Sequence, residues 1–188
     1  NIEITSKGYI QECIDCFGES LEGKVSTPAS YTLFGIDDNC EALSESKRGL
    51  FHHIVAKLLY VAKRGRPDVD PTVAFLCTRV TKSTTEDWEK LRRLLIYLKQ
   101  TLNDVRIIGA NEDIVMKSFV DASYAVHNDM RGQTGGLTSL GTGMIHHKSS
   151  KQKLNTKSST ESELVGCSDY LPYTIWIKRF MGEQGYKV

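Results

Sequence analysis

Ile114-Val115-Met116-Lys117-Ser118-Phe119-Val120-Asp121-Ala122-Ser123-Tyr124 is the stretch on which the reading of this chain turns. Residues 114 to 120 are rich in β-branched and aromatic side chains and read as an extended segment, and the carboxylate of Asp121 follows directly. Val105 to Ala110 reads the same way on the amino-terminal side. On the other side, Gly132 to Leu140 and Met144 to His147 are short runs bounded by glycine or serine. Together they predict a meander of short antiparallel strands.

Outward from this region the period changes. A long helix is predicted after Lys157: Ser158, Ser159 or Thr160 can cap it, Glu161 and Glu163 sit in its first turns, and it runs through Tyr170, Trp176 and Phe180 to Gly182 or Gly185. Pro172 is expected to kink it. Towards the amino terminus, residues 1 to 5 alternate as a short strand would, and Tyr9 to Phe17 has helical spacing closed by Gly18. Gly23 to Glu45 reads as a connector. Three amphipathic helices follow, with stripes Phe51, Ile54, Leu58, Val61, then Val69, Val73, Leu76, Val80, then Trp88, Leu91, Leu95, Leu98. Ser83-Thr84-Thr85-Glu86 supplies a capping box for the third. The expected fold class is α+β, with a helical region at 1–102 and a strand-rich region with one long helix at 103–188.

Composition excludes more than it selects. With 40% hydrophobic and 25% charged residues and a formal net charge of +1, the chain has the profile of a globular protein, so any affinity for nucleic acid must come from local patches. No apolar run approaches the roughly 20 residues needed to cross a bilayer, and residues 1 to 8 lack a signal pattern; an intracellular location without membrane association is expected. Five scattered cysteines argue against a disulfide framework, and the Cys13-x-x-Cys16 pair, with no second pair, reads as helix-face thiols rather than a zinc site.

Three features could carry chemistry. Asp121, at the end of a strand, is either a cation ligand or a turn residue. Glu161 and Glu163 either complement a helix dipole or contribute a carboxylate to a divalent ion shared with Asp121; being about 200° apart around a helix that turns ~100° per residue, only one can face a given partner. Between Arg131 and Thr160 there is no Asp or Glu, whereas Arg131, Lys148, Lys151, Lys153 and Lys157 are all cationic, which suits either a phosphate backbone or a solvated hairpin. Arg92, Arg93, Lys63, Arg64 and Arg66 add a weaker basic face. The adjacent pairs His52-His53 and His146-His147 cannot each turn both rings to one metal.

Lys148-Ser149-Ser150-Lys151-Gln152-Lys153 followed by Ser158-Ser159-Thr160-Glu161-Ser162-Glu163-Leu164 resembles the signature of copia-type retrotransposon ribonuclease H domains. Phe119 to Tyr124 is similar to that family's first catalytic strand, and Arg131-Gly132-Gln133-Thr134-Gly135-Gly136 to the hairpin after it. Ala56 to Tyr60, Arg66-Pro67-Asp68 and Trp88-Glu89-Lys90-Leu91 resemble the segment joining the family's polymerase to its nuclease. The resemblance implies the thumb or connection end of a reverse transcriptase followed by a partial ribonuclease H-like mixed sheet with one long helix. It further implies Asp121 and Glu163 as catalytic metal ligands, with Glu161 the runner-up. Two Mg²⁺ or Mn²⁺ ions would act in the complete domain, with an RNA/DNA hybrid as substrate and the rest of the polyprotein as partner. The family's third and fourth aspartates have no counterpart here, so the fragment by itself is expected to be inactive or nearly so. A non-catalytic nucleic-acid-binding or scaffolding element is the alternative.

Overall fold

Twelve short elements carry the chain, and the computed structural model describes residues 1–188. The order is β1 (Ile2–Ile4), α1 (Lys7–Phe17), α2 (Glu45–Arg64), a single 3-10 turn (Pro67–Val69), α3 (Asp70–Arg79), α4 (Thr85–Gln100), β2 (Arg106–Ala110), β3 (Lys117–Ser123), β4 (Gln133–Ser139), β5 (Gly141–Thr142), β6 (His146–Lys151) and α5 (Ser159–Glu183). The fold class is α+β. Two compact units emerge: one is Ile4–Val105, the other Asn1–Glu3 together with Arg106–Val188.

In the helical unit the apolar stripes become the core. Phe51, Ile54, Leu58 and Val61 of α2, Val73 and Leu76 of α3, and Leu91, Leu94, Leu95 and Leu98 of α4 have no exposed surface, and Ile10, Cys13 and Phe17 of α1 close over them. Truncating any of the buried leucines to alanine removes transfer free energy and leaves a cavity, about 2–5 kcal/mol in sites of this kind. Burial pushes the Cys13 thiol up to about 12, so it packs as a small apolar group, while Cys16 lies on the exposed side of α1. The two sulfurs therefore do not form a metal pair.

The capping box of α4 closes one residue later than the sequence suggested. Thr84 is the N-cap, its hydroxyl accepting from Asp87 N at 3.4 Å while Asp87 Oδ2 accepts from Thr84 N at 2.9 Å. Glu86 is thereby released to accept from Asp37 N at 3.1 Å and to pair with Lys90.

The basic face expected on these helices is consumed by internal bonds. Arg92 Nη1 donates to Ser20 O (2.8 Å), Lys99 to Leu21 O (3.3 Å), Gln100 to Gly23 O (3.2 Å) and Lys90 to Gly35 O (2.6 Å), so α4 holds the connector between α1 and α2 by its carbonyls. A loop has few backbone partners of its own, and cationic side chains supply the missing donors. Lys63 pairs with the buried Asp70 at 2.7 Å. Arg66, only 3% exposed, makes a two-pronged contact with Asp68 (3.0 and 2.8 Å) and donates to the carbonyl and hydroxyl oxygens of Thr101 at 2.9 and 2.7 Å. Burial works against the Asp68 carboxylate, but the Arg66 guanidinium outweighs it and holds its pKa below the ordinary value.

In the second unit the strands form two three-stranded antiparallel sheets, β1-β2-β5 and β3-β4-β6. Strand β3 pairs with β4 from Lys117↔Ser139 to Ser123↔Gln133, and β4 with β6 from Gln133↔Lys151 to Thr138↔His146. Thus β3 starts three residues later than its apolar content suggested, and Asp121 lies inside the strand rather than after it. Pairing decides this boundary: residues 117 to 123 have partners across the ladder, whereas 114 to 116 do not. Strand β6, expected over 144 to 147, extends further, to Lys151. Helix α5 passes through Pro172 without interruption; the carbonyl that loses its donor is that of Ser168, an exposed residue.

α5 lies close to β3 and β4. A Cβ on Gly136 would overlap the Tyr170 ring, and one on Gly166 would stand 3.2 Å from Ala122 Cβ. Next to it, Gly135 has room, its nearest neighbour being Asp121 O at 3.8 Å.

Two stability experiments follow from this packing. Arg66→Met should cost about 2–3 kcal/mol in urea unfolding, the lower part of the range for a broken buried pair because Asp68 is partly exposed. The contribution of the pair is present above the unfolded aspartate pKa of about 3.9 and is lost as pH falls through the lower folded value, so the gap between wild type and variant should narrow below pH ~4, leaving the share of the Thr101 bonds. Gly136→Ala should cost about 1–3 kcal/mol by overpacking, and clearly more than Gly135→Ala; equal effects would show that the Tyr170 approach is not a constraint.

Candidate functional site

Ser158 begins the site. Its extended backbone and its hydroxyl, accepting from Glu161 N at 3.2 Å, start α5, and Glu161 folds back so that its carboxylate accepts from Lys157 N at 2.6 Å. Glu161 is therefore spent on the helix start. Glu163 lies two residues on and round the helix, half-buried, and its Oε1 accepts from Ala122 N at 3.3 Å. The carboxylate thus sits on the peptide immediately after Asp121.

The pleat of β3 sets where Asp121 points. Val120 and Ala122 lie beneath Gly166 of α5, and Ser118 meets Thr174 of the same helix at 2.9 Å, so the even-numbered residues face α5. Side chains alternate along a strand, and Asp121 with Phe119, which is 57% exposed, emerges on the opposite face. Because β3 is the margin of its sheet, the two carboxylates flank that margin, one reaching the strand from the helix and the other projecting from the strand itself. No group of three or more His, Cys, Asp or Glu side chains is arranged to hold a metal ion. Asp169, six residues beyond Glu163 on α5, accepts from Thr134 Oγ1 at 3.4 Å and contributes to the helix–sheet seam instead.

The cationic residues divide into two kinds. Asp129, just before the acid-free stretch, pairs with Lys151 at 2.7 Å and with Arg131 at 3.5 Å, and the lysine pulls its pKa below the ordinary value. Lys148 donates to Tyr173 Oη at 2.9 Å and lies 4.7 Å from the ring centre. Lys153 and Lys157, in the segment between β6 and α5, are exposed. The sequence reading treated all five alike because it weighed charge along the chain and not across the hairpin.

Both histidine pairs are structural or solvated. His146 meets Tyr170 Oη at 3.0 Å and stacks on Tyr173, whereas His52 and His53 lie exposed on α2. A histidine that sequence reasoning passed over, His127, is buried against Gln133 Oε1 at 2.9 Å, and burial lowers its pKa. Gln152, Thr134 and Ser162, all buried and joined through the Gln152 amide, were also passed over as site residues, although all three stand within the quoted motifs.

The fold is that of an α+β chain whose second unit lays one long helix on an antiparallel sheet and sets the Glu163 carboxylate on the Ala122 amide of the edge strand that carries Asp121. Its homologues are retrovirus-related Pol polyproteins from copia-type transposons. The chain is 28% identical over 187 residues to the Pol polyprotein of transposon TNT 1-94 from Nicotiana tabacum, which covers 97% of this chain and 14% of that polyprotein. It is 30% identical over 139 residues to the Pol polyprotein of transposon RE1 from Arabidopsis thaliana, 73% of this chain and 9% of that one. An uncharacterized mitochondrial protein of Arabidopsis thaliana is 32% identical over 114 residues, 60% of this chain and 47% of that protein. No family model matches the chain, and no solved structure does.

Glu163→Ala should leave the fold intact and speed hydrogen exchange of the Ala122 amide, read by NMR, while Glu161→Ala should instead destabilise the start of α5 by about 1 kcal/mol. Unchanged Ala122 exchange in the first variant would remove Glu163 from the strand margin.

Proposed function

We infer that this segment of a transposon Pol polyprotein contributes to a metal-dependent ribonuclease H that cuts the RNA strand of an RNA/DNA hybrid, inside the cell that carries the element. The observation that carries the reading is the Glu163 carboxylate resting on the peptide that follows Asp121. The donor set fits a hard divalent cation, Mg²⁺ or Mn²⁺, since both groups are carboxylates and neither is buried in an apolar wall. A bound ion of this kind supplies an activated water and stabilises the leaving oxygen.

The chain's own residues would do the rest. Asp121 and Glu163 would have to reach round the edge of β3 from its two sides to share a cation there, where the margin of the sheet is open to a phosphodiester. Lys153 and Lys157 are exposed and offer charge to the phosphate backbone, with Arg131 and Lys151 arranged beside them through Asp129. Preference for RNA would come from contacts to the 2′-hydroxyl. Two carboxylates alone grip a divalent ion weakly, so the rest of the polyprotein is the partner that completes the site.

A non-catalytic role in binding nucleic acid is the second reading, favoured by the absence of a three-residue ligand cluster. A labelled RNA/DNA hybrid incubated with Mg²⁺ or Mn²⁺ and the chain within its whole Pol polyprotein, which would complete the site, separates the two. Metal-dependent cleavage of the RNA strand, lost in Asp121→Asn, supports the nuclease. Salt-sensitive binding without cleavage, weakened by Lys153→Ala and Lys157→Ala and unchanged in Asp121→Asn, supports the second reading.

A further inference from the structure

We propose that Gln152 is the positioning residue of the Glu163 carboxylate: its buried amide locks the first turn of α5 to β4 and so holds Glu163 against the Ala122 amide. The inference rests on the reading of the Asp121–Glu163 margin as a cation site. Gln152 is 1% exposed and stands just past the end of β6. Its Nε2 donates to Thr134 Oγ1 at 3.1 Å and to Ser162 O at 2.9 Å, and its Oε1 accepts from Ser162 Oγ at 3.1 Å. Its backbone N donates to Gly132 O at 2.8 Å. Both amide hydrogens are thus used, and the amide oxygen is engaged as well.

These partners are the neighbours of the candidate site. Ser162 directly precedes Glu163, and Thr134 lies opposite Ala122 in the β3–β4 register. Gln152 therefore closes a ring that runs from Ser162 to Glu163, across the 3.3 Å bond to Ala122, over the ladder to Thr134 and back. If α5 slid or rotated, the two bonds between Gln152 and Ser162 would break together, leaving two buried donors and two acceptors without partners, and each such loss is costly. The ring is tight: a Cβ on Gly132 would stand 2.5 Å from Gln152 Oε1, 2.7 Å from Ser123 O and 2.8 Å from Ser162 Oγ. A glutamine serving only to fill space would need none of these directed bonds. Methionine, similar in length and apolar, would serve as well.

The test compares the 188-residue chain with Gln152→Met, Thr134→Val and the double variant, reading Ala122 amide exchange and Mn²⁺ affinity by paramagnetic broadening of the signals around residues 121 and 163. We expect both single variants to stay folded, to exchange the Ala122 amide faster and to bind Mn²⁺ about tenfold more weakly, as loss of a ligand-orienting partner does elsewhere. The double variant should be no worse than the more severe single, because both remove one connection. Folded variants with wild-type Ala122 exchange and wild-type Mn²⁺ affinity would overturn the proposal. If the wild type broadens no signals around 121 and 163, the cation-site reading fails, and Ala122 exchange alone then decides whether Gln152 positions Glu163. Should Gln152→Met not fold, Thr134→Val, which replaces one hydroxyl by a methyl, decides in its place.

Discussion

Helix α5 lies against β3 and β4 at a height that leaves no room for a side chain at residue 136 and little at residue 166. Tyr170 occupies the space over Gly136 and reaches Thr138 Oγ1 at 3.0 Å, and Gly166 lets the helix backbone come down onto Ala122 and Val120. That separation is set by steric exclusion, which is steep, so the height of α5 above the sheet has little freedom. Everything at the candidate site inherits this height. Glu163 reaches the edge of β3 because the helix that carries it is close enough for a glutamate to span the gap.

The two units secure themselves by different means. In Ile4–Val105 an apolar core supplies the stability, and cationic side chains of α4 hold a connector that has too few backbone partners. In the other unit the apolar core is small and the helix–sheet seam contains buried polar groups: Thr134, Thr138, Gln152 and Ser162. A seam of that kind is unforgiving, since every buried donor must keep its acceptor. It holds the turn of α5 that carries Glu163 in one register, which an oily seam of similar area would not do as well.

Charge shows the same division. The segment from Arg131 to Thr160 is acid-free along the chain, yet Asp129 folds back to neutralise part of it. Lys153 and Lys157, in the segment between β6 and α5, stay exposed. The chain's homologues are transposon Pol polyproteins, and it spans only a small part of those polyproteins.

The sequence by itself determined the helices, the α+β class and the chemical types available at the site. Stripes such as Phe51, Ile54, Leu58 and Val61 identify their helix because burial energy follows the helical period within one segment. Asp121, Glu163 and the lysines were legible as candidates for the same reason: they are local. What only the tertiary structure decided was pairing. The ends of β3, the face on which Asp121 emerges, the tie from Asp129 to Lys151, the use of Arg92 and Lys99 on loop carbonyls and the ring through Gln152 all join residues distant in sequence. No period or spacing encodes them; they exist only once strand register and the steric height of α5 are set.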